Sequence, residues 1–306
     1  MRWGLVATVR ASTGAVLDFV AHHVELGAHR IYVYLDEPDP ATFALLKAHP
    51  KVRVTTCDDA YWAKHPRRPK KHQVRQSANA THAYRRAEVD WLAHIDVDEF
   101  LCPQTPLTDQ LAALPDTAGC ARLYPAEALA GDGTAFKLTK RFPRERAASA
   151  ERLYPVHGKY LNGGFLSHVE GKLFARTGLC DVMFRIHNLF EGDIKNPGEA
   201  ALDDTVLCHC HAQNWEAFMA SYRFRLERGS YRADLAPMRK DRVDGLTLHQ
   251  LLMSIEQRDG AQGLRAFYDE LCADTPDHRQ RLDEQGLLFL CDLQLERSRR
   301  KQFSTY

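Results

Sequence analysis

The chain has 306 residues, 44% hydrophobic and 26% charged, with 41 basic against 40 acidic side chains. That composition excludes a disordered or collagen-like chain and suffices for one large α/β core with an appendage. A formal charge of +1 gives no argument for nucleic acid as a partner. No apolar run approaches the roughly 18 residues a membrane span requires, and the apolar start of the chain is too short for an export signal. The eight cysteines are scattered without a CxxC pair, so free thiols and a cytoplasmic protein are expected. Basic clusters at 64–75, 137–146 and 297–301 are solvated surface in the plain reading. In the sharper one they touch the anionic inner face of a membrane.

Along the first hundred residues strand and helix signals alternate. Residues 5–9 form a short apolar strand. Ser12 or Thr13 can cap a helix in which Val16, Leu17, Phe19, Val20 and Val24 recur at helical spacing, with Gly27 as its stop. A β-branched and aromatic strand follows at 31–35, then an acid- and proline-rich turn at 36–40, a helix at 41–48 and a strand at 52–56. A basic, proline-bearing loop at 64–71 leads into a helix expected over 72–89, and a fourth strand at 91–95 ends in Asp96-Val97-Asp98-Glu99-Phe100. This order predicts a mostly parallel sheet flanked by helices, with ligands at the carboxyl ends of the strands, where Arg10, Asp36 and Asp96 fall. The middle, 126–200, is irregular, with glycines at 131, 133, 163 and 164 and strand-like runs at 172–176 and 182–186. Amphipathic helices are expected at 216–228, 246–258, 264–271 and 287–299. Two domains follow from this change of character: a catalytic domain at 1–205 and a mainly helical region at 206–306.

The carboxylates carry the chemistry. Continued strand alternation would put Asp96 and Asp98 on one side. Two hard oxygen donors can hold Mg²⁺ or Mn²⁺ while leaving positions for phosphate oxygens. The bland reading is a solvated strand end. Against it stand the five apolar-rich residues before Asp96 and the mutual repulsion of three acids within four positions unless a cation is present. The segment Trp91-Leu92-Ala93-His94-Ile95-Asp96-Val97-Asp98-Glu99-Phe100 resembles the DxD strand of inverting family 2 glycosyltransferases, in a bacterial branch reading Trp-x-x-x-Ile-Asp-x-Asp-Glu-Phe. Further pieces resemble the same branch: Phe19-Val20-Ala21-His22-His23 with Leu26-Gly27, Arg75-Gln76 with Asn79, and His209 with Trp215-Glu216-Ala217-Phe218 and Arg228-Gly229. The resemblance departs at Leu35-Asp36, where the family has Asp-Asn, and at Arg10-Ala11-Ser12, where it has Lys-Asn-Glu.

The resemblance implies a GT-A, Rossmann-like fold with a C-terminal helical region. It implies transfer of a sugar from a nucleotide-diphosphate sugar to a glycan or lipid-linked acceptor, with Mn²⁺ or Mg²⁺ and with inversion. Asp96 would face ribose and metal, Asp98 would bind the metal, and Arg10 and Asp36 would lie beside the nucleoside. Arg75, on one helix face with Asn79 and His82, could clamp the diphosphate. Cys208-His209-Cys210-His211 invites a zinc reading, but strand alternation sends cysteines and histidines to opposite faces. The resemblance implies instead that His209 alone, standing where the branch has its histidine, completes the metal sphere. The general base is expected among Glu170, Asp181, Glu191 and Asp193, with Glu170 preferred because it follows a glycine-rich segment; His187 is a further candidate without a defined role. Two other classes stay open. A metal-dependent phosphatase would also place DxD after an apolar strand, although early in the chain and without Glu99. A non-catalytic nucleotide-binding relative would keep the fold alone.

Overall fold

The computed structural model describes residues 1–65, 67–228 and 246–303. The strands and helices run β1 (Trp3–Val9), α1 (Thr13–Glu25), β2 (Arg30–Leu35), α2 (Pro40–Ala48), β3 (Val52–Thr56), α3 (Asp59–Trp62), α4 (His72–Tyr84), β4 (Trp91–His94), β5 (Glu99–Pro103), α5 (Leu107–Ala112), β6 (Cys120–Ala128), β7 (Ala135–Lys137) and α6 (Pro143–Leu153). They continue as β8 (Lys172–Arg176), β9 (Val182–Phe184), β10 (Leu189–Glu191), β11 (Ile194–Lys195), β12 (Ala200–His209), α7 (Trp215–Arg228), α8 (Leu248–Cys272), α9 (Pro276–Glu284), β13 (Leu288–Leu290) and α10 (Leu295–Gln302). The chain divides into two compact units. One is Met1–Pro125 with Glu170–Leu207 and Leu293–Tyr306; the other is Ala126–Val169 with Cys208–Asp292. Residues 126–169 of the irregular middle thus fold with most of the helical region, residues 170–200 fold with the first unit, and the last helix returns to the first unit.

In the first unit β1 pairs in parallel with β2 and β4, and β2 with β3. β8 then adds antiparallel to β4, and β6 antiparallel to β8. The fold is the α/β class expected, with a parallel group β3-β2-β1-β4 and helical crossovers between its strands. β1 is buried at all seven positions and reads accordingly as an unbroken apolar run. Ser12 caps α1 by accepting the Ala15 N–H at 3.4 Å, and Gly27, at φ +99°, follows its last turn. His22 and His23, part of the motif shared with the family 2 branch, do packing work. His22 Nε2 lies 2.8 Å from the Leu101 carbonyl oxygen, and His23 Nε2 accepts the Leu101 N–H at 3.2 Å, so the pair pins α1 to β5.

Three expectations about helices and strands are corrected. The helix predicted over 72–89 stops at Tyr84. The fourth strand stops at His94, so Asp96-Val97-Asp98 is a turn and strand alternation does not order its acids. Residues 287–299 are a short strand followed by α10, because Leu287 to Leu290 pair with β7 before the helix begins. The two helices expected at 246–258 and 264–271 are present within α8 and part at Gly260, whose φ of 62° is incompatible with a continuous helix. Thiols are free at Cys57, Cys120, Cys180, Cys208 and Cys272, whereas Cys102 and Cys291 are disulfide-bonded, which corrects the expectation at those two positions. Among the described residues no helix is long and apolar enough to cross a membrane.

The second unit is organised around a buried ion pair. Glu127 and Lys137 face each other across β6 and β7, with Nζ 3.3 Å from the carboxylate. Lys137 also donates to the Gly164 and Leu271 carbonyls at 2.8 Å each, and Glu127 accepts the N–H groups of Leu166 and Ser167. The pair therefore moulds the glycine loop around the ring of Tyr154. Gly164 has φ +77°, and a Cβ there would stand 2.0 Å from that ring. Nearby, buried His278 lies within hydrogen-bond reach of the Ala273 carbonyl and the Tyr154 hydroxyl. Burial pushes its imidazole down to about 4, with Lys137 adding to the effect. Because the folded value lies below the ordinary value of 6.5, the charged form favours the unfolded chain. Stability is complete above pH 6.5 and falls as the pH drops toward 4. Over that window the loss from His278 is expected to be about 3 kcal/mol. Urea midpoints at stepped pH should show it, and His278→Gln should flatten the slope.

Candidate active site

The site grows from the carboxyl end of β4. Register sets it: β8 runs antiparallel to β4 with Leu173 opposite His94, so Lys172 stands just past the end of β4, where the acids begin. Lys172 is fully buried, and its Nζ donates to Asp96 Oδ2 at 2.5 Å and lies 3.2 Å from Glu99 Oε2. Asp96 Oδ1 accepts from Gln76 Nε2 at 2.5 Å. The turn closes on itself, with Glu99 N–H donating to the Asp96 carbonyl at 3.1 Å and Asp96 N–H to Glu99 Oε2 at 2.7 Å. Burial alone would strip the proton from Lys172, but Asp96 and Glu99 outweigh it and hold the ammonium above its ordinary range. The repulsion among three acids that suggested a bound cation is thus relieved in part by a lysine 76 residues downstream of Asp96.

Gly171 makes this possible. Its φ is +69°, and a Cβ on it would lie 1.9 Å from the Leu123 carbonyl oxygen. His187 Nδ1 sits 2.8 Å from the Gly171 carbonyl, which gives that histidine a supporting place. Gly171→Ala is expected to cost at least about 2 kcal/mol in strain and clash; a denaturant midpoint equal to wild type would refute the close approach.

Asp36 ends β2 and is buried, with Arg75 Nε at 2.7 Å and Nη2 at 2.6 Å on its two oxygens and Arg68 donating to its carbonyl. Arg75 Nη1 donates to the carbonyls of Pro69 and Lys70. Burial would raise the Asp36 carboxyl; Arg75 and Arg68 outweigh it and hold it below the carboxylate range. Arg75, expected to clamp a diphosphate, fastens the basic loop to the end of β2 in this structure. The helix face it shares is not solvated. Buried Asn79 donates to Thr8 Oγ1 at 3.0 Å and accepts from the Tyr61 hydroxyl, and His82 contacts the Tyr34 hydroxyl. Arg10, at the end of β1, is exposed beside Glu37 at 3.2 Å.

Glu170 is exposed two residues ahead of Lys172, and its carbonyl accepts from buried Arg122 at 2.7 Å. Asp181, Glu191 and Asp193 belong to the small β9–β11 sheet, where Glu191 accepts the Cys180 N–H. His209 falls in the second unit, buried, with its ring centroid 5.2 Å from that of His211 and 6.1 Å from that of His168. Gly229, from the same resemblance, lies outside the described residues.

The donor set fits a divalent cation at Asp98, a half-exposed hard-oxygen carboxylate in the turn. Both oxygens of Asp96 already accept hydrogen bonds, so this carboxylate meets a ligand only through its remaining lone pairs. Sequence reasoning found the acids and named Gln76 in a motif without a role, but missed Lys172 and Arg122. Lys172 begins a strand-like run, and a lysine at the start of an otherwise apolar strand was the available signal.

Residues 8–116, which run from the end of β1 through β2 to β5 and include the acid turn, match glycosyltransferase family 92. No curated protein matches the chain in sequence. Among solved structures, S. aureus TarS 1-349 is 12% identical, with 99% of this chain and 91% of that chain covered and a TM-score of 0.40. The galactosyltransferase LgtC, in complex with donor and acceptor sugar analogs, is 15% identical over 56% of this chain and 57% of its own, with a TM-score of 0.31. Likenesses at that level carry no weight on function. The family match supports a glycosyltransferase.

Proposed function

We propose that the chain transfers a sugar from a nucleotide-diphosphate sugar to a glycan or lipid-linked acceptor, through a GT-A-type donor site in the first unit. One observation carries the reading: the Asp96–Glu99 turn sits at the carboxyl end of β4, beside the ends of β1 and β2, within the stretch that matches glycosyltransferase family 92. Asp98 would hold Mn²⁺ or Mg²⁺, with Asp96 beside it. When bound, the ion supplies Lewis-acid neutralisation of the departing diphosphate. Asp96, held by Gln76 and Lys172, is the carboxylate set beside the ribose. Arg10 and Asp36 flank the nucleoside. Glu170 is the proposed base: it takes the acceptor hydroxyl proton as that oxygen bonds to the anomeric carbon and the nucleoside diphosphate leaves with the bonding pair, giving inversion.

The test is calorimetric titration of UDP, GDP and dTDP, with Mn²⁺ or with EDTA, into wild type and Asp98→Ala. Binding of one nucleotide that needs metal and disappears in the variant supports the donor site and names the nucleotide. Absence of binding under every condition sinks the reading, and hydrolysis of simple phosphate esters becomes the assay for the phosphatase alternative. Tight binding without turnover on any acceptor would mark a non-catalytic relative.

A further inference from the structure

We propose that Lys172 is a positioning residue that sets the cation affinity of the acid turn, by balancing the charge of Asp96 and Glu99 so that one divalent ion on Asp98 completes the site. This rests on the donor-site reading above. Asp96, Asp98 and Glu99 together bring three negative charges into four positions. Lys172 removes one of them from inside the protein, where no solvent reaches its Nζ.

Geometry assigns the acids different parts. Glu99 is fully buried and spends Oε2 on the Asp96 N–H and on Lys172, so it faces inward. Asp96 is bridged between Lys172 and Gln76, which fixes the plane of its carboxylate. Asp98, in the same turn, is the acid left half-exposed toward solvent. Lys172 itself cannot drift. It opens β8, its neighbour Leu173 is registered on His94, and Gly171 before it is pressed against the Leu123 carbonyl. The lysine thus acts on the ion through the two acids it holds, and no contact of its own with substrate is required.

Charge arithmetic gives an ordered test. Glu99→Gln keeps Lys172 and lowers the negative charge by one; Lys172→Met raises it by one; the double variant Lys172→Met/Glu99→Gln restores the wild-type sum. Mn²⁺ affinity is read by electron paramagnetic resonance on each full-length protein without nucleotide, with circular dichroism confirming the fold. Glu99→Gln is expected to bind Mn²⁺ on the order of tenfold more weakly than wild type, and the double variant within threefold of wild type. Lys172→Met, if it folds, should bind more tightly than wild type. If it does not fold, the other two decide. Unchanged affinity in folded Glu99→Gln, or a double variant as weak as Glu99→Gln, overturns the proposal. Absence of Mn²⁺ binding by wild type, with or without nucleotide, is a different result: it overturns the metal-dependent donor site itself. A purely structural lysine would lower the melting temperature of the double variant without returning its Mn²⁺ affinity to the wild-type value.

Discussion

Asp98→Asn is expected to lower kcat/KM for sugar transfer by about three orders of magnitude, roughly 4 kcal/mol of lost transition-state stabilisation, while leaving the melting temperature within a degree or two of wild type. The asymmetry follows from position. Asp98 lies in a turn and is half-exposed, so its carboxylate can become an amide at little cost to packing. Asp96→Asn should behave differently, because Lys172 and Gln76 both donate to that carboxylate. Removing its charge leaves a buried ammonium with Glu99 alone, so stability and turnover should fall together. Initial rates over a range of Mn²⁺ and donor concentrations, alongside thermal melts, separate the two variants. Full activity in Asp98→Asn would refute its role at the metal.

Lys137→Met should be the most damaging single change in the second unit, at about 3–5 kcal/mol. The lysine meets Glu127, two backbone carbonyls and the faces of Tyr154 and Phe165. Burial works against its charge, but Tyr154 and Glu127 more than compensate and keep the ammonium well above its ordinary range. Deleting it strands the Glu127 carboxylate, which is almost fully buried. Adding Glu127→Gln to Lys137→Met should recover a large part of the loss, since a neutral amide can still accept from Leu166 or Ser167. Urea unfolding of the two variants checks this; a double variant no more stable than the single would mean that shape, not charge, holds the loop.

Much of the first unit was readable from residue order. β1, β2 and β4 are buried strands of apolar run, and such strands announce themselves locally. The acid turn was readable for the same reason, since it follows directly on β4. What the residues did not announce were partners far along the chain. Asp36 and Arg75 were each read as facing a ligand, and their pairing with each other, 39 positions apart, was not read from the sequence. Lys172 was passed over because its two carboxylates lie more than seventy positions upstream. The turn at 96–98 was mistaken for strand because Val97 continues the apolar pattern. The stretch 287–299 carried helical spacing, but pairing with β7 overrode it in the first part, as edge pairing overrides weak local preference.

The return of α10 to the first unit has a consequence for how the protein is made. Arg299 pairs with Asp18 at 2.9 Å, Lys301 with Glu25 at 2.5 Å, and His49 Nε2 lies 3.1 Å from Gln302 Oε1. A ribosome delivers Asp18 long before Arg299, so α1 must wait through most of translation for its covering helix. In between, the residues of the second unit emerge and can fold. The unit with the acid turn is therefore closed only after the residues of the second unit have emerged, and the separation of 281 positions makes that closing contact a slow one to form.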